Sequence, residues 1–258
     1  MVIAMYQEFL PDRRLTPWVE CGWTRSGSAP RSVRVIPDGC VDVFVGPRGD
    51  VTIAGPSTVF YDLAADEACV LAGIRLRPGA ATAVLGRPVS EFTNQHVILD
   101  SVFGVRGNLI AEKVLAATTP SQRVAALQNV LTGYFSGADP LIDTEITGAI
   151  AMMRRHPGRP VSSVATAVEL SERQLRRRFE AAVGYGPKRF GRILRFQHLL
   201  DLIHGRGARI RWPELAVEAH YADQAHMINE CRALAGMLPT ALPRGVSVSS
   251  NTSARGTS

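Results

Sequence analysis

The strongest constraint on this chain is a segment that occurs twice. Residues 171–187 are answered by residues 223–239, and at a constant offset of 52 Leu175 pairs with Met227, Phe179 with Cys231, Gly184 with Gly236 and Pro187 with Pro239. Upstream the offset is 51, matching Val164 and Ala165 to Leu215 and Ala216, and Leu170 to Tyr221. One residue is therefore inserted in the second turn. The spacing predicts two helix-turn-helix units that share core positions and are joined by a long arginine-rich segment.

At 258 residues, with 46% apolar and 20% charged side chains, the chain reads as globular and two-domain. Its net charge of +6 is uneven. Residues 1–141 hold 12 Lys and Arg against 13 Asp and Glu, a net of −1; residues 142–258 hold 17 against 10, a net of +7. Residues 154–211 alone carry 14 basic and 4 acidic side chains. Charge concentrated in this way points to a polyanion partner for the C-terminal half. Cys21, Cys40, Cys69 and Cys231 show no metal-type spacing, so buried free thiols are expected, with neither metal nor cofactor. The N-terminus lacks the signature of a signal peptide, and no apolar run is long enough to span a membrane. A soluble, cytoplasmic protein is expected.

The first 80 residues read as β. Short β-branched runs at 34–36, 40–45, 51–53 and 69–76 are bounded by Gly and Pro, and Gly46 to Asp50 reads as a hairpin loop. Alternation through Ile74 to Arg77 places Arg75 and Arg77 on one face. With Cys40 and Asp42 of the 37–42 segment they form a candidate effector site, the arginines suiting an acidic ligand; solvated side chains are the simpler reading. After Pro78 the period turns helical, with helices expected at 80–85, within 105–118 and over 121–135, the last capped by Ser121. On that last helix Val124, Leu127, Leu131 and Phe135 form one stripe, a core or dimer surface. Residues 136–140 read as a linker, and 244–258 hold too little apolar surface to fold.

In the C-terminal half a helix is expected from Asp143 to about Arg155, and a second opening at Pro160 with Ser162 or Ser163 as cap. A third is capped by Ser171 accepting from the Gln174 amide. Leu175 and Phe179 face inward on it, leaving Glu172, Arg173, Gln174, Arg176 and Arg177 outside. Guanidinium forks match guanine or phosphate and an amide matches adenine, so such a helix suits a major groove. The connecting helix, 187–203, spans about 26 Å, a length able to hold two reading units near one DNA turn apart. The second reading helix begins at Asp223 and shows Gln224, Ala225, His226 and Asn229. Residues 212–244 carry Arg232 and Arg244 against four acids, a net of −2. The second unit is therefore expected to grip phosphate more weakly.

The pattern Ala165, Leu170, Ser171, Leu175, Arg177, Phe179, Gly184, Pro187 and Arg195, followed by Ala216, Tyr221, Asp223, Gln224, His226, Gly236 and Pro239, resembles the AraC/XylS family of bacterial transcription regulators. The resemblance implies a seven-helix DNA-binding domain over 142–243, whose DNA-binding positions are Ser171 to Gln174, Arg176, Arg177, Gln224 to His226 and Asn229. The N-terminal half, 1–137, resembles the sensor-type domain of many such regulators, a cupin-like barrel for an effector or for dimerisation. The fold class is α+β. The expected function is sequence-specific transcription regulation without enzymatic activity. Expected partners are double-stranded DNA, RNA polymerase, a small-molecule effector and a second copy of the chain, with no membrane. Three departures stand out: His220 and Tyr221 replace the family's Gly-aromatic pair, Met227 and Cys231 replace larger core residues, and Asn229 replaces a common arginine. If the turn needs a left-handed residue, His220 and Glu169 must supply it. The competing readings are a thiol-based DNA-alkylation repair protein, which would need a zinc-type cysteine cluster, and an adaptor whose reader has decayed.

Overall fold

The computed structural model describes residues 5–26, 32–46, 49–64, 70–135, 141–206 and 210–242. The linker expected at 136–140, the tail at 244–258, Cys69, the middle of the 46–50 loop and the extreme N-terminus lie outside these residues.

The N-terminal half is built on a six-stranded antiparallel sheet of order β1-β2-β7-β4-β5-β8, beside a two-stranded sheet of β3 and β6. The strands are β1 (Met5–Phe9), β2 (Val19–Ser26), β3 (Ser32–Val35), β4 (Val41–Val45), β5 (Val51–Ala54), β6 (Tyr61–Ala64), β7 (Leu71–Leu76) and β8 (His96–Ile98). Sequence reading found β3, β4, β5 and β7 and missed the other four. The longest, β2, was missed because its pattern does not alternate: Cys21, Gly22, Trp23 and Thr24 are all buried in succession. A strand covered on both faces has no polar face to mark it.

Alternation then sorts the two sides of the sheet. Val41, Val43, Val45, Ile74 and Leu76 pack with Leu85, Val114 and Leu127 into one core beneath the helices. These are α1 (Ala81–Leu85), α2 (Leu99–Phe103), α3 (Val105–Leu115) and α4 (Pro120–Phe135). Asp42, Phe44 and Arg75 point the other way, toward the β3–β6 sheet. The α4 cap is Thr119 and not Ser121. Thr119 Oγ1 accepts from the Gln122 amide at 3.3 Å and the Gln122 side chain returns to the Thr119 N–H at 3.1 Å. Proline at the first helical position explains the shift. On α4, Val124 and Leu127 are buried and Leu131 packs partly against the core; the Phe135 side chain lies outside the described ones.

The C-terminal half holds α5 (Thr144–Arg155), α6 (Val161–Ala167), α7 (Glu172–Val183), α8 (Pro187–Arg206), α9 (Trp212–Glu218) and α10 (Gln224–Ala235). The seventh helix implied by the family resemblance is, among the described residues, a 3₁₀ turn at Pro239–Ala241. Helix α6 starts at Val161 with Pro160 as its N-cap, so neither Ser162 nor Ser163 caps it. Ser163 Oγ instead donates to the Pro160 carbonyl at 2.9 Å.

Both turns between α6 and α7 and between α9 and α10 are built identically. Leu170 N donates to Ala165 O at 3.0 Å and Tyr221 N to Ala216 O at 2.9 Å; Glu169 N donates to Thr166 O at 3.1 Å and His220 N to Val217 O at 3.0 Å. This is the Schellman arrangement, whose penultimate residue must be left-handed. Glu169 (φ 56°) and His220 (φ 62°) occupy that position, as the sequence comparison anticipated. The inserted residue is Ala222, lying between Tyr221 and the cap Asp223.

The two halves share a core. Ile36 and Phe60 pack into the cluster formed by the C-terminal helices. The buried Gln197 amide on α8 donates to the Pro37 carbonyl at 2.6 Å.

Left-handed backbone costs an ordinary side chain about 1 kcal/mol that glycine avoids. Glu169→Gly is therefore expected to raise stability by about 0.5–1 kcal/mol and Glu169→Val to lower it by more than about 1 kcal/mol. Chemical denaturation of the two variants checks this; equal midpoints would show that the turn carries no such strain.

Candidate nucleic-acid interface

The helix expected to read DNA first, α7, is anchored by a reciprocal cap. Ser171 Oγ accepts from the Gln174 amide at 3.2 Å, while Gln174 Oε1 accepts from the Ser171 N–H at 3.0 Å and from its hydroxyl at 2.7 Å. The Gln174 carbonyl is thus turned onto its own helix end. Leu175, Phe179, Ala182 and Val183 form the buried face. Phe179 meets Phe190 of α8 with ring centroids 5.3 Å apart.

The arginines divide by what they already touch. Arg178, which the sequence reading did not single out, is committed inward: its guanidinium donates to Asp143 at 2.6 and 2.8 Å and to Glu145 at 2.9 Å. Arg176 pairs with Glu180 at 2.8 Å one turn away. Arg173 and Arg177 are exposed and make no ion pair or side-chain hydrogen bond among the described residues. Beside them, Arg173, Arg176, Lys188, Arg189 and Arg192 line a cleft of about 700 Å³ between α7 and the start of α8, with Glu172 and Glu180 at its edge. Lys188 and Arg189 lie in the first turn of α8, positions that periodicity alone did not flag.

In the second unit Asp223 caps α10 by accepting from the His226 amide at 2.7 Å. Gln224, Ala225 and Asn229 are exposed. The His226 ring is half-buried, packed edge-on to Tyr221 at 5.3 Å. Its Nδ1 accepts from the Ala222 N–H at 3.4 Å. Met227 and Cys231 are fully buried, and burial pushes the Cys231 thiol up to about 12.

The acids of this unit are not all presented outward. Glu230 is buried and takes a forked pair from Arg192 at 2.8–3.1 Å. Glu214 pairs with Arg211 and Glu218 with Arg206. Net charge alone therefore overstates the difference between the two units.

The effector candidates separate. Arg75 and Asp42 meet over a small cavity in a forked pair at 3.0 and 3.1 Å, with Asp38 3.5 Å from the same guanidinium. Arg77 does not line this cavity. It donates to Glu20 at 2.8 Å and to the Thr16 carbonyl, and Glu20 also faces Arg154 of α5 at 3.6 Å. Cys40 is buried, and desolvation, reinforced by Asp38, pushes its thiol well above the ordinary range. An acidic environment of that kind favours the unreactive thiol over the thiolate.

Asp143 joins the cap of α5 to the back of α7, since its carboxylate also accepts from the Ile146 amide at 3.0 Å. Partial burial raises its pKa, but the hydrogen bonds from Arg178 and Ile146 outweigh that and hold it below the ordinary value. A carboxylate depressed on folding contributes stability fully present above its unfolded value of about 3.9, and loses it as pH falls through the folded one. Asp143→Ala is expected to cost about 1–2 kcal/mol near neutrality. The gap to wild type should close as pH falls from about 5 toward 2; a gap independent of pH in that range would contradict the assignment.

No helix among the described residues is long and apolar enough to cross a membrane. Comparison with known proteins gives two family matches. Residues 7–98 match a domain of unknown function (DUF6597), and residues 164–245 match a helix-turn-helix domain. No curated protein matches the chain. Among solved structures the chain is similar to ToxT from Vibrio cholerae, with 8% identity and a TM-score of 0.44 over 96% of this chain and 99% of that one. It is likewise similar to ToxT with an unsaturated fatty acid bound (9%, TM-score 0.42, 95% and 96% covered). A third similar structure is ToxT bound to (E)-4-(8-methylnaphthalen-1-yl)but-3-enoic acid (8%, TM-score 0.43, 91% and 97% covered). The segment that matches the AraC-type helix-turn-helix domain spans both copies of the duplicated turn and capped helix, and it follows a β-rich segment that matches a domain of unknown function.

Proposed function

We propose that the chain is a sequence-specific transcription regulator that reads double-stranded DNA through α7 and α10, and that an effector or a second copy of the chain acts on its N-terminal domain (1–137) to control reading by the C-terminal domain (142–243). The observation that carries this is the pair of identically built, capped reading units. The first presents Arg173 and Arg177, which have no partner of their own among the described residues, beside a basic cleft. Unspent guanidinium groups on the outer face of a short helix suit guanine edges and phosphate. Ser171, Glu172, Gln174 and Arg176 complete the first contact surface. The second surface is Gln224, Ala225, His226 and Asn229, which holds no lysine or arginine and so contributes base preference more than phosphate grip. RNA polymerase is the further partner such a regulator addresses. Cys21 and Cys40 of the N-terminal half are buried, a setting that favours the unreactive thiol.

The test uses the full chain on a site first recovered from captured genomic fragments. Arg173→Ala and Arg177→Ala should each weaken binding by about 1–3 kcal/mol. Together they should flatten the slope of log affinity against log salt by up to about two units. Replacing Gln224 and Asn229 by Ala should leave that slope nearly unchanged and relax preference in one half of the site. Unchanged binding by both arginine variants at physiological salt would overturn the assignment, and equal slope losses from both sets would show that α10 grips phosphate as firmly as α7.

A further inference from the structure

A cavity of about 80 Å³ lies between the six-stranded sheet and the β3–β6 sheet. It has several times the roughly 10–15 Å³ that one water needs. Its wall is a continuous run of rings. Tyr6 stacks beside Trp23 at 6.2 Å, Trp23 meets Phe44 at 6.0 Å, Phe44 meets His96 at 6.5 Å, and His96 meets Tyr61 at 5.0 Å. These five rings come from β1, β2, β4, β8 and β6, so the enclosure is a property of the folded domain and not of any local motif.

The floor is the Asp42 carboxylate. It accepts from the Trp23 indole at 3.1 Å and from Arg75. The arrangement reverses the expectation of an acidic ligand, because the Arg75 guanidinium is already taken by Asp42 and Asp38. Arg25 stands among the lining residues, while Glu8 accepts from the Tyr6 hydroxyl at 2.9 Å. Among the lining residues Asp42 carries the carboxylate and Arg25 and Arg75 the guanidinium groups; Arg75 is shared between Asp42 and Asp38, so that cluster of three holds one carboxylate in excess. Ring faces carry partial negative charge and attract a cation placed against them, most strongly where water is excluded. An anion entering the same space would meet ring faces and the Asp42 carboxylate, and the Arg75 guanidinium is already held by Asp42 and Asp38.

We propose that this cavity is a binding site for a small organic cation, a quaternary or alkylated ammonium group held against Trp23, Phe44 and Tyr61 over Asp42. This rests on the reading of the N-terminal domain as the controlled half, and it names the chemical class of the effector. The route outward is short. Val35, at the end of β3, lines the cavity. The preceding residue, Arg34, donates to Asp62 at 2.8 Å and to the Ala235 carbonyl at the end of α10 at 3.0 Å. An occupant that shifts β3 against the larger sheet therefore bears on the second reading helix.

Three probes of one shape and different charge separate the possibilities: choline, its neutral isostere 3,3-dimethyl-1-butanol, and the anion 3,3-dimethylbutyrate. Each is titrated into the full chain at constant ionic strength, followed by calorimetry and by tryptophan fluorescence with Trp23→Phe as control. Choline is expected to bind saturably and at least about tenfold tighter than either isostere, and Phe44→Leu to weaken it by about tenfold. Tyr61→Leu, on the opposite wall, serves as a second variant should Phe44→Leu unfold. Equal or tighter binding of the neutral or anionic probe, or no saturable choline binding, overturns the proposal. Affinity for DNA is measured separately on the ligand-free chain, so failure of the DNA assignment and failure of the cation site remain distinguishable.

Discussion

The structure turns on how the last carbonyls of α7 and α10 are satisfied. A helix leaves its final C=O groups without internal partners, and something outside must supply donors. In α7 and at its terminus these come from the N-terminal half: Thr82 Oγ1 donates to Ala181 O at 3.1 Å and Thr93 Oγ1 to Gly184 O at 2.8 Å. In α10 the donor is Arg34, to Ala235 O. Both helices then turn away through a left-handed glycine, Gly184 (φ 95°) and Gly236 (φ 66°). A Cβ at either would stand 2.6 Å from Pro56 and Thr93 or 2.4 Å from Phe60, so the close approach of the two halves needs glycine for space as well as for conformation. One N-terminal body therefore holds the inner ends of both reading helices, while their capped N-termini stay outside.

The same economy governs charge. A forked guanidinium–carboxylate pair fixes geometry, and a guanidinium so used has little left to offer a second anion. Arg178 ties α7 to α5, Arg192 ties α8 to α10, and Arg34 ties β3 to β6 and α10. Arg77 and Arg154 share Glu20 across the two halves. What remains outward on α7 is a small subset, Arg173 and Arg177, beside the cleft that reaches Lys188 and Arg189. The basic total of residues 154–211 is thus a sum of two populations, one that assembles the domain and one that faces solvent. The acids of the second unit divide in the same way, with Glu230 internal and Asp223 serving as a helix cap.

The C-terminal half was legible in the sequence for a specific reason. The Schellman turn is local: it requires a left-handed residue four positions after a small helical one, an apolar residue next, and a capping side chain beyond. Ala165, Glu169, Leu170 and Ser171 satisfy that grammar, and Ala216, His220, Tyr221 and Asp223 repeat it with one insertion. The pattern occurs twice, and the sequence places Glu169 and His220 where a left-handed residue is required on the condition that the turn is of this kind; their φ values meet that condition. The caps of α4 and α6 were misplaced because proline at or next to the helix start moves the boundary by a residue or two without changing the apolar periodicity.

By itself, then, the sequence determined the duplicated helix-turn-helix units, the Ser171 cap of the first, the uneven charge and the β character of the N-terminal half, because each depends on residues within a few positions of one another. Only the tertiary structure decided which arginines are spent, since Arg178 finds Asp143 at 35 residues' separation and Arg34 finds Ala235 at 201. It alone gathered rings from five strands around one cavity and paired Arg75 with Asp42 and Asp38. Strand order and long-range pairing place those side chains together, and neither is written in the local spacing of residues.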